Sequence, residues 1–162
     1  MRRFRFFLLP LLIGMAGSAH SALRPASTDD IVNATMACVA ISEKLPTDAA
    51  VAKALGWNPA TASNKDGQPI DMGMTILSHS NNRSLLMVLD GNCSVTAGLE
   101  KVADFATTLM HLRRQIVPDK EVPQDGGVVM IKGQQIYLIR PTGSRKSPTI
   151  AITTMLRRQA SQ

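Results

Sequence analysis

Met72-Gly73-Met74, with His79 five residues on, is the segment whose residue types most invite a metal. Two thioethers at alternate positions share one face of an extended chain, and soft sulfur ligands select Cu(I). Against this, Met36, Met87, Met110, Met130 and Met155 sit in apolar segments, so this chain uses methionine as a flexible hydrophobe. Copper handling through Met72, Met74 and His79 is therefore the alternative expectation, and no cofactor is expected. Zinc catalysis has less support. Beyond residue 21 only His79 and His111 remain, and a catalytic zinc usually takes three protein ligands.

Other catalytic constellations are missing. The chain contains no G-x-S-x-G, H-E-x-x-H, S-x-x-K or G-x-x-x-x-G-K-[ST] pattern. Asp66 and Asp71 bracket a polar stretch and offer a carboxylate pair, but glycoside cleavage wants an aromatic-lined groove. Beyond residue 21 only Trp57, Phe105 and Tyr137 are left to line one. The same shortage argues against a stacking platform for single-stranded nucleic acid, so no nucleic-acid partner is expected. A small hydrolase or inhibitor acting through the 58–71 loop is kept as a further alternative.

Cys38 and Cys93 are the two cysteines. In an oxidising compartment they make one disulfide, which closes a loop of about 50 residues and contributes about 4 kcal/mol in the chain-entropy description. The rival role for Cys93, a reactive thiol in Gly91-Asn92-Cys93-Ser94, needs a nearby base and no partner cysteine.

Export is indicated by the start of the chain. Arg2, Arg3 and Arg5 form a positive region, Phe6 to Ala16 is an apolar run, and Ala19-His20-Ser21 has the small-x-small pattern of a signal peptidase site, with Gly17-Ser18-Ala19 a second. The run is shorter than the roughly 20 residues a membrane span needs. The expectation is a cleaved leader over 1–21, a single domain over 22–162, a periplasmic or secreted location and no transmembrane anchor after cleavage.

The net charge of +6 is unevenly placed. Lys132, Arg140, Arg145, Lys146, Arg157 and Arg158 fall after residue 125, where there is no acid at all. This basic end is the candidate partner-binding surface, although scattered cations also serve to keep sheet edges apart.

The elements that must position these residues follow from periodicity. Ser27 or Thr28 caps a helix over 28–45 whose face is Ile31, Ala34, Cys38, Ile41 and Leu45. A short helix over 48–55 ends at Gly56, with Trp57 folding back onto the core. Residues 58–71 read as a mobile loop. Met72–Ser80 and Leu85–Leu89 read as a hairpin, the second an unbroken apolar run suited to a buried strand. Thr96 caps a helix over 97–116, stopped by Pro118, with Leu99, Val102, Ala106, Leu109 and Ile116 on one face. Asp119–Gly127 reads as a polar loop, and 128–131, 136–140 and 149–155 as three strands. The expected fold is α+β in the order α-α-β-β-α-β-β-β: an antiparallel sheet with the two longer helices packed on one face.

A helix-borne Cys38, Gly56-Trp57, a polar loop, a hairpin ending in Asn92-Cys93-Ser94-Val95 and a third amphipathic helix resemble a pattern in small exported proteins of alphaproteobacteria. The resemblance spans about residues 30–115 and implies a bridged α+β domain, with no activity attached. The leading functional expectation is a non-enzymatic exported protein that binds an envelope component or protein partner through its basic C-terminal strands.

Overall fold

The computed structural model describes residues 23–43, 49–64, 66–71, 73–89 and 92–157. The expected leader, the end of the expected 28–45 helix, Met72 and Arg158 lie outside the described residues.

Ser27 starts helix α1 (Thr28–Ser42) with a reciprocal cap. Its hydroxyl accepts the N–H of Asp30 at 3.1 Å, and the Asp30 carboxylate accepts the N–H of Ser27 at 3.2 Å. Two of the helix's orphan donors are thereby satisfied. Ile31, Ala34, Cys38 and Ile41 are fully buried, the face expected from their spacing. Helix α2 (Ala49–Ala54) ends at Gly56, which takes the left-handed conformation (φ 81°) and donates its N–H to Lys53 O at 2.9 Å.

Eight strands follow: β1 (Trp57–Ala60), β2 (Thr75–His79), β3 (Asn82–Leu89), β4 (Asn92–Gly98), then, after helix α3 (Asp104–Ile116), β5 (Lys120–Gln124), β6 (Gly127–Lys132), β7 (Gln135–Ser144) and β8 (Ser147–Leu156). They form one sheet in the order β1-β2-β3-β4-β8-β7-β6-β5, and every neighbouring pair is antiparallel. Each half of the chain is a helical segment followed by a four-strand meander, and the two meanders meet at β4 and β8. The fold is sheet-dominated α+β.

Three strands correct the sequence-based expectation. β1 occupies the start of the expected 58–71 loop. It pairs only with β2, and an edge position tolerates Pro59, which has no N–H to give. β5 replaces an expected loop for the same reason, with Pro123 in its single pairing. β4 falls where a turn and a helix start were expected. Its Ser94, Thr96 and Gly98 are too small and polar to make the alternation with Cys93, Val95 and Ala97 stand out. Thr96 is consequently a strand residue rather than a cap, and α3 begins at Asp104. Val102 and Ala106 are exposed, while Thr108, Leu112 and Ile116 form its buried face. The rest of 58–71 is a small exposed hairpin, bridged between Ser63 and Pro69.

One face of the sheet carries the core. α1 packs over β3, β4 and β8, and α3 packs on α1. Leu77, Leu86, Val88, Val95, Met130, Ile139, Ile150 and Ile152 point into this layer and are at most 4% exposed. The Cys38–Cys93 disulfide pins α1 to β4 across a Cα–Cα distance of 5.4 Å. Arg113 on α3 grips the Glu121 carboxylate on β5 through two guanidinium nitrogens. Among the described residues no helix packs on the other face of the sheet.

Candidate functional site

Strand alternation places every second residue on the face away from α1. Pairing then lines these residues up in rungs. One rung runs across all eight strands as Ala60, Ile76, Met87, Ser94, Thr153, Leu138, Val129 and Val122. The next contains Leu85, Thr96, Ala151 and Arg140. The rung residues other than Arg140 are partly buried by one another, whereas Arg140 is exposed. On the central strands the side chains are small, and the Ser94 and Thr153 hydroxyls hydrogen-bond at 2.9 Å. On β3 and β7 they are long.

The charges on this open face have one sign. By alternation they are Arg83 on β3, Arg140 on β7 and Lys120 on β5, with no Asp or Glu among the described strand residues facing this way. Arg83 donates to the Pro25 carbonyl at 3.2 Å and makes no ion pair among the described residues. At the same end of the sheet the β7–β8 turn carries Arg145 and Lys146, both exposed. Among the described residues Arg140, Arg145, Lys146 and Arg157 make no ion pair.

The six C-terminal cations are thus divided by the fold. Arg140 stands midway along β7, opposite Ala151, and Arg145 and Lys146 form the turn at one end of the β7–β8 hairpin. Arg157 lies at the other end, about 33 Å away at 3.3 Å per residue, where its N–H donates to Gln134 O. Lys132 is engaged by Asp119 at 3.0 Å. The Gly133 N–H (2.7 Å) and Lys132 together hold the Asp119 carboxyl below its ordinary value. Glu121 is likewise lowered by the guanidinium of Arg113.

A separate groove of about 440 Å³ lies on the α1 side, between α1, α2 and the β2–β3 turn. Trp57, 3% exposed, is at its floor, and His79 tilts against it with ring centroids 5.4 Å apart. The His79 Nδ1 accepts the N–H of Asn81 at 3.0 Å. Its Nε2 crowds Gly56, where a Cβ would sit 2.6 Å away. His79 therefore faces this groove, Met74 lies on the bend just before β2, and Met72 lies outside the described residues. Asp66 and Asp71 sit on the exposed 61–71 hairpin, and His111 is half-buried on α3. Among the described residues no three His, Cys, Asp or Glu side chains gather as a metal site.

The open face was missed in the sequence, yet a signal for it existed. Leu85-Leu86-Met87-Val88-Leu89 reads as a strand buried on both faces. Leu86 and Val88 meet α1's layer, but Leu85 and Met87 do not, and Leu89 is 46% exposed. A run apolar on both faces, in a chain with helices enough for one face only, leaves the other apolar and open. No family model, curated protein or solved structure matches this chain.

Proposed function

We propose that the protein is a small exported, non-enzymatic binding module that docks an envelope protein through its C-terminal strands. One observation carries the reading: the open face of β6–β8 presents Val129, Ile131, Ile136, Leu138 and Met155 with Arg140 beside them and no acid. Contiguous, partly exposed apolar side chains rimmed by charge are the pattern of an interaction site. Export is part of the proposal. It rests on the basic-apolar-small pattern of residues 1–21 and is supported by the Cys38–Cys93 bridge, which persists in oxidising compartments. No described helix is long and apolar enough to cross a membrane. Both sheet edges carry a proline, at Pro59 and Pro123, which discourages strand addition and leaves the face as the place to bind.

The test is site-specific photo-crosslinking in the native host. A benzoylphenylalanine at Arg140 or Arg145 should give a discrete ultraviolet-dependent adduct with a protein of the envelope fraction, and one at Lys53 on α2 should not. Equal labelling from all three sites, no adduct from Arg140 and Arg145, or full-length protein retained in the cytosol would overturn the reading.

A further inference from the structure

We infer that the occupant of the open face is an amphipathic α-helix of a partner protein with an acidic polar face, lying along the trough over β4 and β8; this deepens the binding-module reading and rests on it. The trough follows from side-chain size. Its floor is Ser94, Thr96, Ala151 and Thr153, and its walls rise at Met87 on β3 and Leu138 on β7, in register across the same rungs. β3 and β7 are three strand spacings apart, about 14 Å, and an α-helix with its side chains is about 10–12 Å across. The Leu23–Arg24 backbone covers this face at Gly98, and the five residues from Asn92 to Thr96 run about 17 Å, room for about 11 helical residues at 1.5 Å each. The opposite face of the same two strands already holds a helix, α1.

Charge fixes the chemistry of the occupant. Arg140 stands at mid-strand opposite Ala151, with Arg83 on the facing wall, and Arg145 and Lys146 lie at the end where β4 stops and β8 starts. The chain enters there too: the Ala26 N–H donates to Gly98 O at 2.9 Å, and a Cβ on Gly98 would sit 2.6 Å from the Leu23 carbonyl. A chain cut after Ser21 would add its α-ammonium near this end. The opposite end carries Leu89 and Met155 together with two exposed cations, Lys120 in the rung of Met155 and Arg157 just past β8, so cations stand at both ends. A second copy of the protein would bring two all-cationic faces together. A bilayer surface is disfavoured because the face has no Trp or Tyr to sit at a headgroup layer: Trp57 and Tyr137 are both in the core. Helix-in-groove docking, with apolar anchors three and four residues apart, fits the walls.

The probe is a synthetic 18-residue helix with a leucine stripe and glutamates elsewhere, compared with the same peptide carrying lysines and with phosphatidylglycerol vesicles. Amide shifts of the labelled full-length protein should map the glutamate peptide to β3, β4, β7 and β8. The lysine peptide should bind at least about ten-fold more weakly. Arg140→Glu, an exposed change that leaves packing alone, should lose about ten-fold, and Ala151→Trp, which raises the floor, should abolish binding; Lys53→Glu should change nothing. Equal binding of the two peptides, shifts confined to the Trp57 groove, or vesicle binding without peptide binding would overturn the helix. Crosslinks at Arg140 to a partner alongside any of these outcomes would leave the binding module standing with a different occupant.

Discussion

Val117 is the one described non-glycine residue with a positive φ, 48°, and it closes α3 in the left-handed conformation. A β-branched side chain there costs about 1–2 kcal/mol through its clash with the following carbonyl. Two things hold it in place: its N–H donates to Arg113 O at 3.0 Å, and Pro118 bars any further helical turn. With Val117 61% exposed, little burial is lost on removing the side chain. Val117→Gly should therefore raise stability by about 1 kcal/mol in urea unfolding, net of glycine's greater freedom when unfolded; a loss of stability would mean the position is unstrained. Residue-level cues elsewhere were readable in the sequence because they are local. The Ser27–Asp30 cap, Gly56 after α2 and the pairing of the only two cysteines each depend on neighbours or on a count. Val117 was not readable, since nothing in its own chemistry suggests a C-cap and the stop belongs to Pro118.

At the scale of elements, two devices fasten helices to the sheet. The disulfide ties α1 to β4 over a sequence separation of 55, and breaking it should lower stability by about 4 kcal/mol, much of a total of about 5–15 kcal/mol. Denaturant titration of the double variant Cys38→Ala/Cys93→Ala measures this, and an unchanged midpoint would refute the role given to loop closure. The second device is the Arg113–Glu121 pair between α3 and β5. The folded-state carboxyl of Glu121 lies below its unfolded value, so its contribution is present above the ordinary carboxylate range and is lost as pH falls through the folded value. The pair is partly exposed and screened. Glu121→Gln should narrow the gap between melting temperatures at pH 7 and pH 3, and an undiminished gap would assign the acid sensitivity elsewhere. The strands that escaped sequence reading, β1, β4 and β5, share a cause. Edge strands with a proline need only one partner, and β4 draws its strand character from β3 and β8 on either side rather than from its own side chains.

For the whole molecule, the strand order makes the junction of the two meanders the centre of both halves. β4 and β8 each have a neighbour on both sides, α1 above them and the disulfide at one end. Cys93, Val95, Ala97, Ile150, Ile152 and Thr154 are all buried there. β1 and β5 have one neighbour each and mostly exposed or half-buried side chains. Opening should accordingly proceed from the rims inward, because each strand lost at an edge exposes less apolar surface than one lost at the centre. Native-state hydrogen exchange should find the slowest amides in β4 and β8, with those of β1 and β5 exchanging at least about a hundred-fold faster. Uniform protection, or slow amides in β1 and β5, would show that the halves do not depend on their junction. The same gradient bears on binding: the floor proposed for the trough is built from the two strands expected to open last, so a docking helix would pay little to order the surface that receives it.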